Sequence, residues 1–384
     1  MLIMKIAILT LPLHTNYGGI LQAYALQEVM TRMGHEVILI NLPVAKVSKV
    51  EKVKEFAKRL VKRFLLFKSV PLRAWPTDRE RKNIAQHIAP FIHKYLQVVE
   101  CTCEKQLLNL VKKEKVKALI VGSDQVWRPG YSTSVSTYFL DFLKREEDIK
   151  KISYAASLGR DYWVFTKKQT QALGELIRKF DAVSVREDSA VTLCRTYWGI
   201  NASWLLDPTL LLDKTDYMKV CDLIPAGKEK HLMVYILDSN INKDRIIQEI
   251  SELKNLPVHK VMAKNKYWNV GSSGIKDCIV PPISEWIEGF MNAGFVVTDS
   301  FHGMAFSIVF EKPFICIGNK TRGMARFTSL LKLLELEDRL IHSVDDLKPD
   351  VVNCDIDYSR VNALREKEIN KSIQFLQGAL CKME

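Results

Sequence analysis

The sequence predicts an α/β protein made of two Rossmann-like, doubly wound domains, with an active site in the cleft between them. Three observations lead to this fold class. A chain of 384 residues exceeds the size at which a single core normally stops growing. Short β-branched apolar runs alternate with helical segments, as in βαβ units that build a parallel sheet. The pattern changes after Pro208, and a second α/β series follows.

The first series fills a predicted N-terminal domain, residues 1–205, which we assign to the acceptor side. It begins with "KIAILTL", which we interpret as a buried strand rather than a signal peptide because no small-residue cleavage site follows it. A glycine-containing turn leads into the helix "GILQAYALQEVMTRMG" and the strand "EVILINL". Later strands are "VKALIVG", "KKISYAAS" and "DAVSV", and the helix "DSAVTLCRTYWG" comes last.

The second series fills a predicted C-terminal domain, residues 206–384, which we assign to the donor side. Strand-like segments are "HLMVYIL", "PVHKVMA", "DCIVPP", "FVVTDS" and "PFICIG", and one of the helices is expected near residues 242–255. The tail from Val361 to Met383 has helical character and either closes this domain or crosses back to the first. In open sheets of this kind, ligands bind outside the carboxyl ends of the strands, so polar residues there are candidates for the site.

Composition and cysteine usage favour a cytoplasmic protein. A hydrophobic content of 47% with 26% charged residues is typical of soluble globular chains. No run of 18 or more apolar residues exists, so no segment is expected to span a bilayer. The eight cysteines have neither C-x-x-C nor structural zinc spacing, and we expect reduced thiols and no metal site.

The net charge of +12 favours acidic partners such as phosphorylated small molecules, anionic lipids or nucleic acid. Ten Lys and Arg but only two Glu lie between Lys46 and Arg73, and the apolar residues among them follow one helical face. Two interpretations stay open: the apolar face packs on its own domain, or this basic helix lies on an anionic membrane. No recognised nucleic-acid motif accompanies the charge, so we predict no nucleic-acid partner.

Two polar clusters in the first series fall at predicted strand ends. The turn "HTNYGG" contains Asn16, Tyr17, Gly18 and Gly19, where helix N-terminal N–H groups favour anions or sugar hydroxyls. The alternative is that the glycines only make a tight turn, and a G-x-G-x-x-G fingerprint is absent. In "IVGSDQVW", the side chains after the strand belong to Ser123 and Asp124. A carboxylate there serves either as a base for a sugar hydroxyl or as a cap of the next segment.

A third candidate is Arg186, which directly follows the strand "DAVSV". Arginine offers forked donors that suit phosphate and carboxylate oxygens. The alternative is a surface salt bridge with Glu187 or Asp188.

The fourth cluster follows the strand "FVVT" and consists of Asp299, Ser300, His302 and Gly303. A helix N-terminus disfavours a charged histidine, whereas a nearby anionic substrate favours it. His302 is therefore either a core histidine or an acid, and its position beside Asp299 favours the acid. Beyond it, "GNKTRGMARFTSLL" contains Arg322 and Arg326, which form either an anion clamp or two ordinary surface arginines.

Six segments together resemble the polysaccharide pyruvyl transferase family. In chain order they are "NYGGILQAYALQ", "VGSDQVW", "SYAASLG", "SVREDS", "LLDPTLLL" and "TDSFHGMAFSIVFEKPF". The resemblance implies a glycosyltransferase-B-like fold and transfer of pyruvate from phosphoenolpyruvate, as a ketal, to a sugar. The acceptor implied is a surface polysaccharide, such as an exopolysaccharide or capsule, or its lipid-linked precursor. Phosphoenolpyruvate is a co-substrate, and no metal or other cofactor is implied.

The resemblance also implies roles for individual residues. Arg186 matches an arginine that contacts the donor, and His302 matches the histidine proposed to protonate the methylene carbon of phosphoenolpyruvate. Asp124 or Asp299 would then take the proton of the attacking sugar hydroxyl.

The sequence departs from the family pattern at one position. Well-studied members of the family carry an arginine two residues before this histidine, within Ser-x-Arg-x-His, and here Ser300 occupies that place. Arg322 or Arg326 is our candidate for the missing positive charge. Ser300 and Gly303 are assigned with them to the donor site, whereas Ser123 and the "NYGG" turn are assigned to the acceptor site.

The leading hypothesis is a cytoplasmic pyruvyltransferase that modifies a glycan precursor, held at the inner membrane face by residues 46–73. One alternative is a glycosyltransferase that uses a nucleotide-sugar in the same cleft. Another is a non-catalytic glycan- or phosphate-binding relative. The acceptor sugar, the linkage positions, the lipid carrier and the oligomeric state are left open by the sequence.

Overall fold

The computed structural model describes residues 3–43, 47–65, 70–132, 134–224, 230–319 and 321–381, which form two parallel α/β sheets with helices around them. The first sheet contains β1 (Lys5–Leu9), β2 (Glu36–Asn41), β3 (Val98–Glu100), β4 (Ala118–Val121), β5 (Lys150–Ala156), β6 (Ala182–Val185) and β7 (Ser203–Trp204). The second contains β8 (His231–Tyr235), β9 (Val258–Lys260), β10 (Ala293–Thr298), β11 (Phe314–Ile317) and β12 (Leu340–Ile341). Every pairing between these described strands is parallel, and the predicted fold class is confirmed.

Helices connect the strands, as parallel pairing requires. In chain order they are α1 (Tyr17–Arg32), α2 (Lys49–Phe64), α3 (Asp78–Ile84), α4 (Ala89–Tyr95), α5 (Leu107–Lys113), α6 (Lys167–Ile177), α7 (Asp188–Trp198), α8 (Lys214–Val220), α9 (Ile241–Lys254), α10 (Tyr267–Val270), α11 (Ile283–Met291), α12 (Phe301–Val309), α13 (Ala325–Leu333), α14 (Pro349–Asn353) and α15 (Tyr358–Cys381). Among these described helices, none combines the length and the apolar character needed to cross a membrane.

The strand order places one ligand-binding position in each sheet. The first sheet runs β3-β2-β1-β4-β5-β6-β7, so the chain reverses direction across the sheet between β1 and β4. The second runs β12-β11-β10-β8-β9 and reverses between β8 and β10. Ligands of doubly wound sheets bind outside the carboxyl ends of the strands at such reversals. The loops after β1, β4, β8 and β10 are therefore the places to look for a site.

Apolar packing joins the two halves beneath these loops. Tyr17, at the start of α1, stacks on Trp286 of α11 with ring centroids 5.3 Å apart and donates a hydrogen bond to the carbonyl of Pro281 at 2.7 Å. Tyr217 of α8 contacts Phe306 of α12 at 4.8 Å. One buried cluster contains residues of both sheets and these rings, so the first and second halves share part of their core.

The C-terminal helix α15 lies against the first sheet. Lys150, at the start of β5, is buried, and its Nζ donates hydrogen bonds to the carbonyls of Ala379 and Leu380 at 3.2 and 2.8 Å. Arg365 donates to the carbonyl of Leu210 at 2.9 Å, in the connection between the sheets.

The predicted boundary after residue 205 stays a prediction, and β7 ends one residue before it.

The interpretation that the apolar face of the basic segment packs on its own domain is wrong for helix α2. Its apolar residues do not pack on the protein: Val53 is 67% exposed and Phe64 is 60% exposed. The helix instead turns Arg59 inward, and this side chain is only 3% exposed. Lys46 and residues 66–69, which belong to the predicted segment 46–73, lie outside the described residues.

Candidate active site in the interdomain cleft

A cavity of about 480 Å³ opens where the reversal points of the two sheets face each other. Its walls come from the loops after β1, β4, β8 and β10 and from the loop that enters α13. Lining residues include Asn16, Asp124, Leu237, Ser300, His302 and Arg326. A volume of this size is within the usual range for small-ligand sites, and polar groups of both sheets converge on it.

A buried ion-pair cluster lies at the first-sheet side of the cavity. Arg186, directly after β6, donates to Asp207 Oδ2 at 2.5 Å and to Asp124 Oδ1 at 3.1 Å. Its guanidinium lies 4.4 Å from the ring centroid of Phe301, and the side chain is buried rather than part of the cavity wall. Burial disfavours charge on all three groups, but their mutual attraction outweighs it, raising the pKa of Arg186 and lowering those of Asp124 and Asp207.

Asp207 holds this cluster in place because both of its oxygens accept hydrogen bonds. Oδ1 accepts from the backbone N–H and the hydroxyl of Thr209 at 3.0 and 2.8 Å. Oδ2 accepts from the hydroxyl of Ser123 at 2.9 Å as well as from Arg186. The same Oδ2 lies 3.8 Å from Nε2 of His302, which connects the first-sheet cluster to the second domain.

His302 is the second residue of α12; the residue is 5% exposed and lines the cavity wall. Its Nε2 has no hydrogen-bond partner among the described residues. The ring is seated against Gly18 at the start of α1, where an added Cβ would lie 2.1 Å from the imidazole. Gly18 is therefore needed so that α1 and His302 can approach each other, which is a reason for glycine other than a tight turn.

The electrostatic environment disfavours the charged form of His302. Burial lowers the pKa of His302 below its usual value of 6.5, and Arg186 and Arg326 act in the same direction. Asp207 and Asp124 oppose this effect without overcoming it. A negatively charged ligand in the cavity would raise the pKa and favour the protonated form.

The two arginines of the loop before α13 differ in their partners. Arg322 makes a two-pronged ion pair with Asp238, at 2.6 and 3.2 Å, which raises the pKa of Arg322. Arg326 is buried, and its only hydrogen bond within the described residues goes to the carbonyl of Arg322 at 2.9 Å. Its Nε is unpartnered in the described part of the chain, and burial together with Arg186 lowers its pKa to about 10. Arg326 is thus a cation whose charge no neighbouring carboxylate neutralises at ion-pair distance among the described residues.

Asp299 is placed differently from Asp124. Its carboxylate accepts hydrogen bonds from the backbone N–H groups of Leu237 and Asp238, at 2.6 and 3.2 Å. It also accepts from Lys243 Nζ at 2.6 Å and from the side-chain amide of Asn319 at 3.0 Å. Four donors occupy the acceptor sites that a carboxylate offers, so this arrangement suits holding the loops after β8 and β11 in place.

The remaining predicted donor residues have structural contacts. Ser300 caps α12 by accepting from the N–H of Gly303 at 3.4 Å, and Ser300 lines the cavity. Gly303 packs on Thr298, whose hydroxyl oxygen would lie 2.1 Å from an added Cβ.

The predicted acceptor residues divide into two groups. Asn16 and Tyr17 line the cavity, and Asn16 is exposed. Gly18, Gly19 and Ser123 do not reach it: an added Cβ on Gly19 would meet the side chain of Asn16, and Ser123 donates to Asp207. The role of all these residues in binding an acceptor stays a prediction.

Asp207 and Lys266 are the main residues of the site that the sequence analysis did not single out. Asp207 lies in "LLDPTLLL", directly before Pro208, where the sequence pattern changes from the first α/β series to the second. It also follows β7, a neighbour of β6 in the same sheet, so the strand-end rule would have found it had that short strand been recognised. Lys266 lines the cavity from the loop after β9, and a single lysine in a polar loop gives no such signal.

Two solved structures with a similar fold contain UDP or a UDP-sugar. The UDP-GlcNAc 2-epimerase of Neisseria meningitidis bound to UDP-GlcNAc has 11% identity and a TM-score of 0.51, with 99% of this chain and 100% of that chain covered. S. aureus MnaA bound to UDP has 13% identity and a TM-score of 0.49, with 97% and 91% covered. At such low identity the likeness describes the fold alone, which is of the glycosyltransferase-B type.

Comparison at the level of sequence gives a more specific result. No curated protein matches the chain significantly. The sequence model of the family described as polysaccharide pyruvyl transferase matches residues 16–321, which begin after β1 and contain β4, β8, β10 and the cluster of Arg186, Asp207 and His302. The match covers well over half of the chain and supports the family resemblance of the six segments. The chain therefore belongs to the polysaccharide pyruvyl transferase family.

Proposed function

We propose that this transferase moves pyruvate from phosphoenolpyruvate to a sugar of a surface polysaccharide or of its lipid-linked precursor, as a ketal. The observation that carries the proposal is that two groups lie together at the wall of one cavity: a buried Arg326 with no ion-pair partner among the described residues, and a His302 whose charged form is disfavoured. A small molecule with a phosphate and a carboxylate supplies the negative charge that both groups lack. Family membership makes pyruvyl transfer the reaction to test first.

Arg326 is our candidate for the positive charge that the family pattern places at the position of Ser300. Its guanidinium lies 5.8 Å from the ring centroid of Phe301, the residue between Ser300 and His302. A charge that family members place two residues before the histidine is supplied here, in our proposal, from the first turn of α13. Arg322 is the weaker candidate because Asp238 already neutralises it.

The proposed reaction starts when the anionic donor raises the pKa of His302, so that the imidazolium protonates the methylene carbon of phosphoenolpyruvate. The former double-bond carbon becomes electron-poor, and a sugar hydroxyl attacks it while Asp124 accepts the hydroxyl proton. The bond from that carbon to the phosphate oxygen then breaks, and a second hydroxyl closes the ketal. The two sugar hydroxyls release two protons in total. One replaces the proton that His302 gave to the new methyl group, and the other leaves with inorganic phosphate.

Arg186 acts from behind the cavity wall in this scheme. It keeps Asp124 and Asp207 ionised, and Asp207 in turn lies within 3.8 Å of His302 and favours its protonated form. The scheme uses only protein groups and the two substrates. Because phosphoenolpyruvate is made inside cells, we place the reaction in the cytoplasm.

The test is to incubate the purified protein with phosphoenolpyruvate and candidate lipid-linked glycans. We expect release of inorganic phosphate together with a pyruvyl mass gain on the glycan. A parallel set of reactions contains UDP-sugars, because the fold is shared with enzymes of UDP-sugars. Turnover of a UDP-sugar without turnover of phosphoenolpyruvate would overturn the proposal in favour of a glycosyltransferase.

Ligand protection against thermal unfolding gives a second, independent measurement. We expect phosphoenolpyruvate to raise the unfolding temperature and UDP to leave it unchanged. Protection by phosphoenolpyruvate without turnover, in the presence of an acceptor that a relative modifies, would instead indicate a binding protein.

A further inference from the structure

Helix α2 is attached to the protein by its charged side. Arg59 donates to Glu55 at 2.9 Å and to the carbonyls of Pro71 and Trp268, each at 2.9 Å. Its guanidinium also stacks over the ring of Trp268 at 4.0 Å. These contacts fix the orientation of the helix about its own axis, because Arg59 is its one buried residue.

The apolar side of α2 consequently faces away from the protein. With about 100° between successive residues of an α-helix, the apolar positions spaced by three and four residues lie opposite Arg59. Exposed residues of this apolar stripe are Val50, Val53, Ala57, Val61 and Phe64, and Phe56 and Leu60 widen it on one side. Surface helices of globular proteins normally turn such a stripe towards the core. Here the usual arrangement is inverted.

Two exposed cations, Lys54 and Lys58, border this stripe on the side away from Phe56 and Leu60. Four further exposed cations lie elsewhere around the helix: Lys49, Lys52, Lys62 and Arg63. Only Glu51 and Glu55 carry negative charge on the same helix, and Glu55 is paired with Arg59. A second copy of the chain would bring the same positive charge against this face, which disfavours self-association through it. Apolar surface combined with positive charge instead matches the headgroup region of an anionic bilayer.

We infer that α2 binds anionic membrane surfaces, with its apolar stripe in the boundary between headgroups and acyl chains and its lysines beside lipid phosphates. The surface lies outside the cleft, and the inference does not depend on the proposed reaction. Membrane binding through α2 would also bring the bilayer near the cleft. Trp268, whose carbonyl accepts a hydrogen bond from Arg59, is two residues from Lys266, which lines the cavity. A glycan attached to a membrane lipid would be close to the cavity in this orientation.

The test is sedimentation of the full chain with two kinds of vesicle: phosphatidylcholine alone, and phosphatidylcholine mixed with phosphatidylglycerol. We expect binding to the mixed vesicles, with loss of binding as salt is raised, and little binding to the neutral ones. The variant Val53→Asp/Phe64→Asp should lower the partition constant about tenfold or more, because charged groups replace apolar contacts in the stripe. The variant Lys54→Gln/Lys58→Gln should lower it roughly 30-fold.

A matched control carries the same kind of change on another helix. Ile241 and Leu253 of α9 are 82% and 45% exposed, and Ile241→Asp/Leu253→Asp should bind vesicles like the unaltered protein. All altered residues are exposed, so circular dichroism should show a native fold in each variant. The lysine variant keeps the question answerable if the stripe variant does not fold.

Absence of binding to the mixed vesicles would overturn the inference, as would equal losses in the stripe variant and the α9 control. Sedimentation velocity tests whether a second copy of the chain, rather than a membrane, covers the stripe. A dimer that Val53→Asp/Phe64→Asp dissociates, found together with no vesicle binding, would mean that a second copy covers the stripe.

Discussion

Two buried carboxylate clusters lie at strand ends on opposite sides of the cleft, and they differ in what surrounds the negative charge. In the first-sheet cluster, Arg186 is shared between Asp124 and Asp207, and His302 approaches Asp207 from the other domain. In the second-sheet cluster, Asp299 is enclosed by Lys243, Asn319 and two backbone N–H groups. The first cluster lies beside His302, a titratable side chain at the cavity wall. In the second cluster, the carboxylate of Asp299 is already bound by donors of its own domain.

The difference shows that a strand-end position is not sufficient to identify a reacting group. Asp124 and Asp299 both follow buried strands and both line the cavity. The number of donors already bound distinguishes them, since a carboxylate with four hydrogen bonds has little capacity left for a substrate proton. We therefore expect the first cluster to matter most for turnover and the second to matter most for folding.

The largest effect should come from replacing His302, which connects the first-sheet cluster to the second domain. We expect His302→Gln to lower kcat by about 10²–10⁴-fold, the usual contribution of a general acid, because glutamine cannot protonate the donor carbon. Phosphate release from phosphoenolpyruvate in the presence of the glycan acceptor measures this loss. Circular dichroism of the variant should match that of the unaltered protein, and retained turnover would exclude the acid role.

The second prediction compares the two aspartates directly. Asp299→Asn should lower the free energy of unfolding by about 3–5 kcal/mol, because Lys243 would stay buried without its carboxylate. Asp124→Asn should cost less stability, since Arg186 keeps Asp207, but should lower kcat about 10²-fold if Asp124 is the base.

Denaturant unfolding and steady-state kinetics on both variants separate the two roles. Should Asp299→Asn prove as stable as the unaltered protein while losing turnover, the assignment of the second cluster to folding would have to be abandoned.

Strand-end reasoning from the sequence was sufficient to place Asp124 and Arg186 at one edge of the first sheet, and the cleft expected between the two domains was sufficient to place His302 opposite them. It could not find Asp207, because β7 has only two residues, Ser203 and Trp204, and so shows no periodicity. The fold class followed from longer elements whose apolar runs are unambiguous.

Contacts distant in sequence account for the other differences. Arg322 and Arg326 look alike in the sequence, and only Asp238, 84 residues away, neutralises one of them. The helical face of the basic segment was visible, but its direction depends on the contact between Arg59 and Trp268, which are 209 residues apart. Local patterns carry no information on either pairing.

The third prediction uses these two arginines as a matched pair. Arg326→Gln should raise the KM for phosphoenolpyruvate by about 10–100-fold, because it removes a donor at the cavity wall that has no ion-pair partner among the described residues. Arg322→Gln should change it by less than about fivefold, since the Arg322 charge is already paired with Asp238. Initial rates over a range of donor concentrations measure both values, and a larger effect at Arg322 would transfer the proposed anion contact to that residue.

The smallest expected effect is the pH dependence of the free energy of unfolding that arises from His302. Burial lowers the pKa of His302 in the folded protein below 6.5, so the unfolded chain binds more protons than the folded one between these two values. The free energy of unfolding should therefore fall as the pH drops through 6.5 towards the folded pKa, and it should be independent of His302 above that range. The loss amounts to about 1.4 kcal/mol for each unit by which the pKa is lowered.

Other histidines, such as the buried His35 and the half-buried His231, also have lowered pKa values, so the contribution of His302 must be obtained as a difference. We expect the unfolding free energy of His302→Gln to depend less on pH below 6.5 than that of the unaltered protein. Saturating phosphoenolpyruvate should reverse the trend for the unaltered protein, because the bound anion favours the imidazolium and raises its pKa. Identical pH profiles for the two proteins, with and without the donor, would show that His302 does not titrate differently in the fold and that its contact with Asp207 is only one of packing.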